Sequence, residues 1–145
     1  MATRDQLLRA IFDQGFRTPD WRHHQPPPVV SLELFFDENT DNESIAVNLP
    51  DHPGVAFFYE RLKQIRARVD VRAVLVNIYD MESTIHGGWP YAENVHILTS
   101  APEATIQSWA EELRSDGAWE GWPYGQAAAA PEAQESYKWW SLAWD

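Results

Sequence analysis

Apolar and polar positions sort this chain into short segments with two different periods. Leu7, Leu8, Ile11, Phe12 and Phe16 fall on one helical stripe. Thr3 with Gln6 ahead of them has the form of a capping box, so a first helix is predicted from about residue 4 to 14, stopping near Gly15. Val30, Leu32, Leu34 and Phe36 instead alternate with Ser31, Glu33, Phe35 and Asp37, the period of a half-buried strand. Ile45, Val47 and Leu49 repeat that period, which predicts a β-hairpin over this region. Asp51-His-Pro-Gly54 reads as the cap of a second helix, whose stripe is Val55, Phe58, Tyr59, Leu62 and Ile65 and whose end lies near Arg68.

Val71 to Asp80 carries apolar residues on both faces and is predicted as a central strand, with Asn94 to Thr99 as a fourth. Ser100-Ala-Pro-Glu103 resembles a second capping box, opening a helix with Ile106, Trp109, Ala110 and Leu113 inside and Gly117 as its stop. Ser136 to Asp145 fits either period, and its aromatic density favours a fifth strand. The resulting order, α-ββ-α-ββ-α-β, predicts an α+β two-layer sandwich: a mainly antiparallel sheet of four or five strands with helices on one face. Length predicts one domain over residues 1–145. Residues 17–28 form a proline-rich extended connector, and 117–135 a long irregular loop of a kind associated with function or mobility.

Charge narrows the partners. The chain has 22 acids against 11 bases, a formal net charge of −11, which argues against nucleic acid and permits a basic protein partner. Five of those bases, Arg61, Lys63, Arg66, Arg68 and Arg72, lie close together, so the remaining surface is more acidic still. Cysteine is absent, which excludes thiolate chemistry and fits a reducing cytoplasm. The N-terminus mixes charges into its apolar stripe, unlike a signal peptide, and no apolar run is long enough to span a membrane.

Two stretches resemble sites of known chemistry. Asp37, Asn39, Asp41 and Glu43 alternate as a calcium loop begins, but the sixth and twelfth positions hold Asn42 and Asn48 where glycine and glutamate are needed. The stretch reads as a hairpin tip. Ile85-His-Gly-Gly-Trp-Pro90 is similar to the oxyanion turn of esterases, yet no G-x-S-x-G elbow accompanies it, and a wide turn explains it better. The histidines make no chelating pair: His23 and His24 are neighbours on an extended chain, His52 belongs to a helix start, and His96 sits mid-strand. No cofactor or metal is expected.

The sheet face away from the helices is the best candidate surface. It should combine Glu33, Phe35, Asn48, Asn77, Tyr79 and His96 with part of the terminal aromatic segment, Trp139, Trp140 and Trp144. In a strand, Trp140 and Trp144 share one face and Trp139 takes the other. Eight tryptophans, five of them after residue 118, exceed what one core needs. The first expectation is therefore a non-catalytic module that binds a protein partner through this face. A small enzyme or ligand binder using Glu33, His96 and Tyr79 is the alternative, and a homodimer that covers the surplus indoles is another.

Phe35-Phe-Asp37, Ser44-Ile45, Asn48-Leu-Pro50, His52-Pro-Gly54, Trp89-Pro90, Val95-His-Ile97 and Trp144-Asp145 together resemble a family of small acidic bacterial proteins of uncharacterised function. That resemblance implies no activity, cofactor or site. In size, charge and element order the chain is also similar to immunity proteins that neutralise bacterial toxins.

Overall fold

The computed structural model describes residues 1–15 and 26–144. Phe16, the connector as far as residue 25 with Trp21, His23 and His24, and Asp145 lie outside the described residues.

Helix α1 spans Arg4–Asp13 and carries the predicted capping box: Thr3 accepts from the Gln6 amide, and the Gln6 side chain accepts from the Thr3 amide. Its Leu7 and Ile11 are fully buried. The predicted hairpin does not form. Only Val29–Ser31 (β1) is strand, and Leu32–Phe36 then turns into a short helix, α2, because Ser31 accepts from the Leu34 amide as an N-cap. Leu32, Phe35 and Phe36 also satisfy helical spacing, and that spacing buries all three. Ile45 keeps a single bridge to Ala92 in place of a second strand.

The acidic stretch between them is a set of turns and caps. Asn39 accepts from the Asp41 amide, and Asp41 accepts from the Glu43 amide. Asp37 takes the Tyr59 hydroxyl at 2.6 Å. Asn42, rather than Asp51, caps α3 (Val55–Arg66): its Oδ1 accepts from the Val55 amide at 2.9 Å, and the N-cap residue Gly54 sits at φ 100°, which favours glycine. His52 braces the same corner, Nε2–H donating to the Ile45 carbonyl and Nδ1 accepting from the Gly54 amide. Asn42→Ala should therefore lower stability by about 1 kcal/mol, and Asp51→Ala much less, in urea titrations. Equal losses would contradict the capping role of Asn42.

Strand β2 (Val71–Asp80) matches its prediction, and β3 (Tyr91–Thr99) begins three residues before the predicted start. A 3-10 turn at Glu82–His86 joins them, reversing at Gly87 with φ 83°. Helix α4 spans Glu103–Glu112 with Pro102 at its N-cap and no side-chain cap; Thr99 Oγ1 instead accepts from the Ala101 amide, so the expected second capping box is absent. The helix ends at Leu113, before Gly117, with Arg114 left-handed at φ 58°. The irregular loop contains a short strand, β4 (Ala118–Glu120), and the terminal segment supplies β5 (Lys138–Ala143).

All five strands pair antiparallel in the order β1-β2-β3-β5-β4, so the α+β class holds although the element order differs. Val74, Val76, Ile78, Val95, Ile97, Trp140 and Leu142 face the helices and share one core with Leu7, Phe35, Phe58, Leu62, Ile106 and Trp109. Both borders of the sheet meet a glutamine. Gln14 brackets β1, Nε2 donating to the Val29 carbonyl at 2.7 Å and Oε1 accepting its amide at 3.2 Å. Gln107 donates to the Ala118 carbonyl of β4 at 3.0 Å.

Candidate functional site

The side of the sheet away from the helices is roofed. Its floor is set by register: Leu75, His96 and Ser141 lie abreast across β2, β3 and β5, with Trp119 beside them on β4. The flanking rows hold Asn77 opposite Asn94, and Leu98 opposite Trp139. Residues 121–137 return over this floor. Ala130 completes a small apolar cluster with Leu98 and Trp139, against which Ala73, Leu75, Trp122 and Tyr137 pack. Trp139 pins the roof by donating Nε1–H to the Pro131 carbonyl at 3.1 Å.

His96 is the polar centre of this layer and is 1% exposed. Ser141 donates its one hydroxyl hydrogen to the Gly121 carbonyl at 2.6 Å. Its 2.7 Å contact with His96 Nδ1 is therefore a bond in which Nδ1–H donates to Oγ. That tautomer leaves Nε2 as a bare acceptor. The Trp122 indole lies on the imidazole, centroids 3.8 Å apart and planes at 23°, and meets Trp139 edge-on at 4.9 Å. Neither His96 Nε2 nor Trp122 Nε1–H has a hydrogen-bond partner. Burial pushes the imidazole pKa down to about 3, so the ring is neutral at ordinary pH.

This wiring differs from that of a nucleophile. A catalytic serine gives its hydrogen to the base, whereas Ser141 gives it to a carbonyl and is fully buried. Among the described residues, no group of three His, Cys, Asp or Glu side chains is placed to hold a metal ion.

The structure brings Asn77, His96 and Trp139 to this face, with Tyr79 at its margin, 45% exposed. Asn77 is buried and donates to the Pro27 and Pro28 carbonyls. The other expected members lie elsewhere. Phe35 is core, because α2 replaces the strand that would have turned it outward. Glu33 on α2 forks the Arg66 guanidinium of α3, which holds its carboxyl below the usual range. It stands on the opposite side of the sheet from His96, so Glu33, His96 and Tyr79 do not form one cleft. Asn48 is exposed in a turn. Trp140 and Trp144 point to the helices and are buried, on the face opposite Trp139 as strand alternation requires. Sequence reasoning missed Trp119, Trp122 and Ser141 as members of this layer. The period-two register of β5 against β3 was the available signal for Ser141, and nothing local marks Trp122 as the cover of His96.

A sequence model of the Uncharacterized protein YfbO family matches residues 2–142. The Uncharacterized protein YfbO of Escherichia coli (strain K12) is 38% identical over 99 residues, covering 67% of this chain and 68% of that protein. No solved structure matches. The likeness to small bacterial proteins of uncharacterised function holds: the chain belongs to the Uncharacterized protein YfbO family.

Proposed function

We propose that this protein is a non-catalytic binding module for a basic protein partner, and that the contact centres on Trp119. The observation that carries the reading is the exposure of that indole. Trp89, Trp109, Trp139, Trp140 and Trp144 are buried and Trp122 is stacked within the roof, whereas Trp119 is 49% exposed on the β4 border. An exposed indole on a chain of net charge −11 suits a lysine- or arginine-rich surface, which it meets by cation–π contact while the acids steer the encounter. Tryptophan is also among the residues that dominate interface energetics when covered. The glutamine-blocked borders favour recognition through side chains over strand addition.

The test is co-purification and cross-linking from the source cell, followed by titration of the identified partner against Trp119→Ala. The variant should change stability by no more than about 1 kcal/mol and weaken binding by about tenfold or more, with wild-type affinity falling as salt rises. Unchanged affinity of Trp119→Ala for the partner would remove the reading.

A further inference from the structure

A second feature of the roofed face is independent of Trp119. Between the roof and the end of β2 lies a cavity of about 140 Å³, lined by Arg72, Leu98, Pro131, Glu132, Gln134 and Tyr137. Three devices build it. The register of β2 against β3 slips between Val71 and Ala73, so Arg72 is the extra residue of a bulge. A bulge re-aims a side chain, and here the guanidinium is laid over the Tyr137 ring, 4.8 Å from its centroid. On the roof, Ser136 adopts φ 73° within the tight turn from Gln134 to Tyr137, a strained conformation for serine that sets the direction of Tyr137. The Pro131 wall is fixed by the Trp139 indole.

The charges in this cavity are not spent on one another. Arg72 and Glu132 line the same space, yet no ion pair joins them. The neighbouring base Arg68 is paired to Asp70. Hydrogen bonds from the Arg72 guanidinium and the Ser100 hydroxyl hold the Tyr137 phenol below its usual pKa, which places the cation at the phenol oxygen as well as over the ring. Asp70, the nearby carboxylate that opposes this, is already held by Arg68. A cation stacked on a phenol, a carboxylate and the apolar Leu98 thus line one small amphoteric pocket. Its volume is well below the roughly 300–1,000 Å³ of ordinary ligand sites, so its occupant is smaller than a nucleotide or a typical cofactor.

We infer that this cavity binds a free α-amino acid with a small apolar side chain. The ligand carboxylate meets the Arg72 guanidinium and the Tyr137 hydroxyl, the ammonium faces Glu132, and the side chain rests on Leu98 and Pro131. Arginine suits this task because its planar fork matches a carboxylate.

The experiment is calorimetric and NMR titration of the intact chain with millimolar L-valine, N-acetyl-L-valine, L-valine amide and a short peptide ending in valine. L-Valine should bind saturably and shift the Tyr137 and Leu98 resonances. Arg72→Gln, an exposed change, should weaken it about tenfold or more, and Tyr137→Phe less, because the ring remains under the guanidinium. The amide should bind markedly more weakly. N-acetyl-valine and the peptide should also bind more weakly than valine, because they lack an ammonium to face Glu132. No saturable valine binding, an unchanged affinity in Arg72→Gln, or acetylated ligands as tight as valine would each overturn the inference. Circular dichroism of each variant separates lost binding from lost folding.

Discussion

Trp144→Ala is expected to lower the unfolding free energy by about 3–5 kcal/mol. The indole is 3% exposed, lies edge-on to Phe58 of α3 at 5.6 Å and donates Nε1–H to the Leu113 carbonyl at 3.0 Å. Alanine removes the packing and leaves a buried carbonyl at the end of α4 without its donor. The Leu113 carbonyl is one of the orphan acceptors at that helix terminus, so one side chain ties β5 to both flanking helices. Urea titration against Trp119→Ala makes the comparison within one protein. A loss for Trp144→Ala no greater than that for Trp119→Ala would contradict this account of the two indoles.

The second large effect is set by pH and belongs to His96. Its folded pKa is depressed to about 3, against an ordinary histidine value of about 6.5. Between those values the unfolded chain binds a proton that the folded chain refuses, so stability falls as the solution is acidified through this window. The linkage amounts to about 3 kcal/mol between about pH 7 and about pH 4. Glu33, Asp37 and Asp70, whose carboxyls are held below their usual values by hydrogen bonds, lose their contribution in the same direction at lower pH. His96→Leu isolates the histidine term because it keeps those carboxylates. Its urea stability should decline between the two pH values by about 3 kcal/mol less than that of the wild type. Equal declines in both proteins would show that the folded imidazole takes up its proton as readily as the unfolded one.

How far the sequence disclosed this arrangement depends on the range over which each element is specified. The cap at Thr3 and the apolar run of β2 are local signals, and both appear where they were read. The region from Val30 to Leu49 misled because two periods coexist there. Alternation through Val30, Leu32, Leu34 and Phe36 competes with helical spacing through Leu32, Phe35 and Phe36, and the Ser31 cap decides for the helix. That one difference turns Phe35 into the core and sends Glu33 to Arg66, removing both from the expected surface. Asn77, His96 and Trp139 could be assigned to one face because strand alternation is itself local. The roof over them could not. Trp122 reaches His96 across 26 positions of sequence, and the bulge at Arg72 exists only in relation to the partner strand.

The two border glutamines have a consequence for how this molecule behaves in a crowded solution. A sheet with unsatisfied amides and carbonyls along its rim is a template on which another chain can crystallise itself, strand upon strand. At Val29 and Ala118 that invitation is already answered by a primary amide from the protein's own helices or their ends. Gln14 mimics the peptide group of an incoming neighbour, donating and accepting at Val29, and Gln107 supplies the donor half of that role at Ala118. A strand approaching at either position would have to displace a hydrogen bond that the protein already makes to itself.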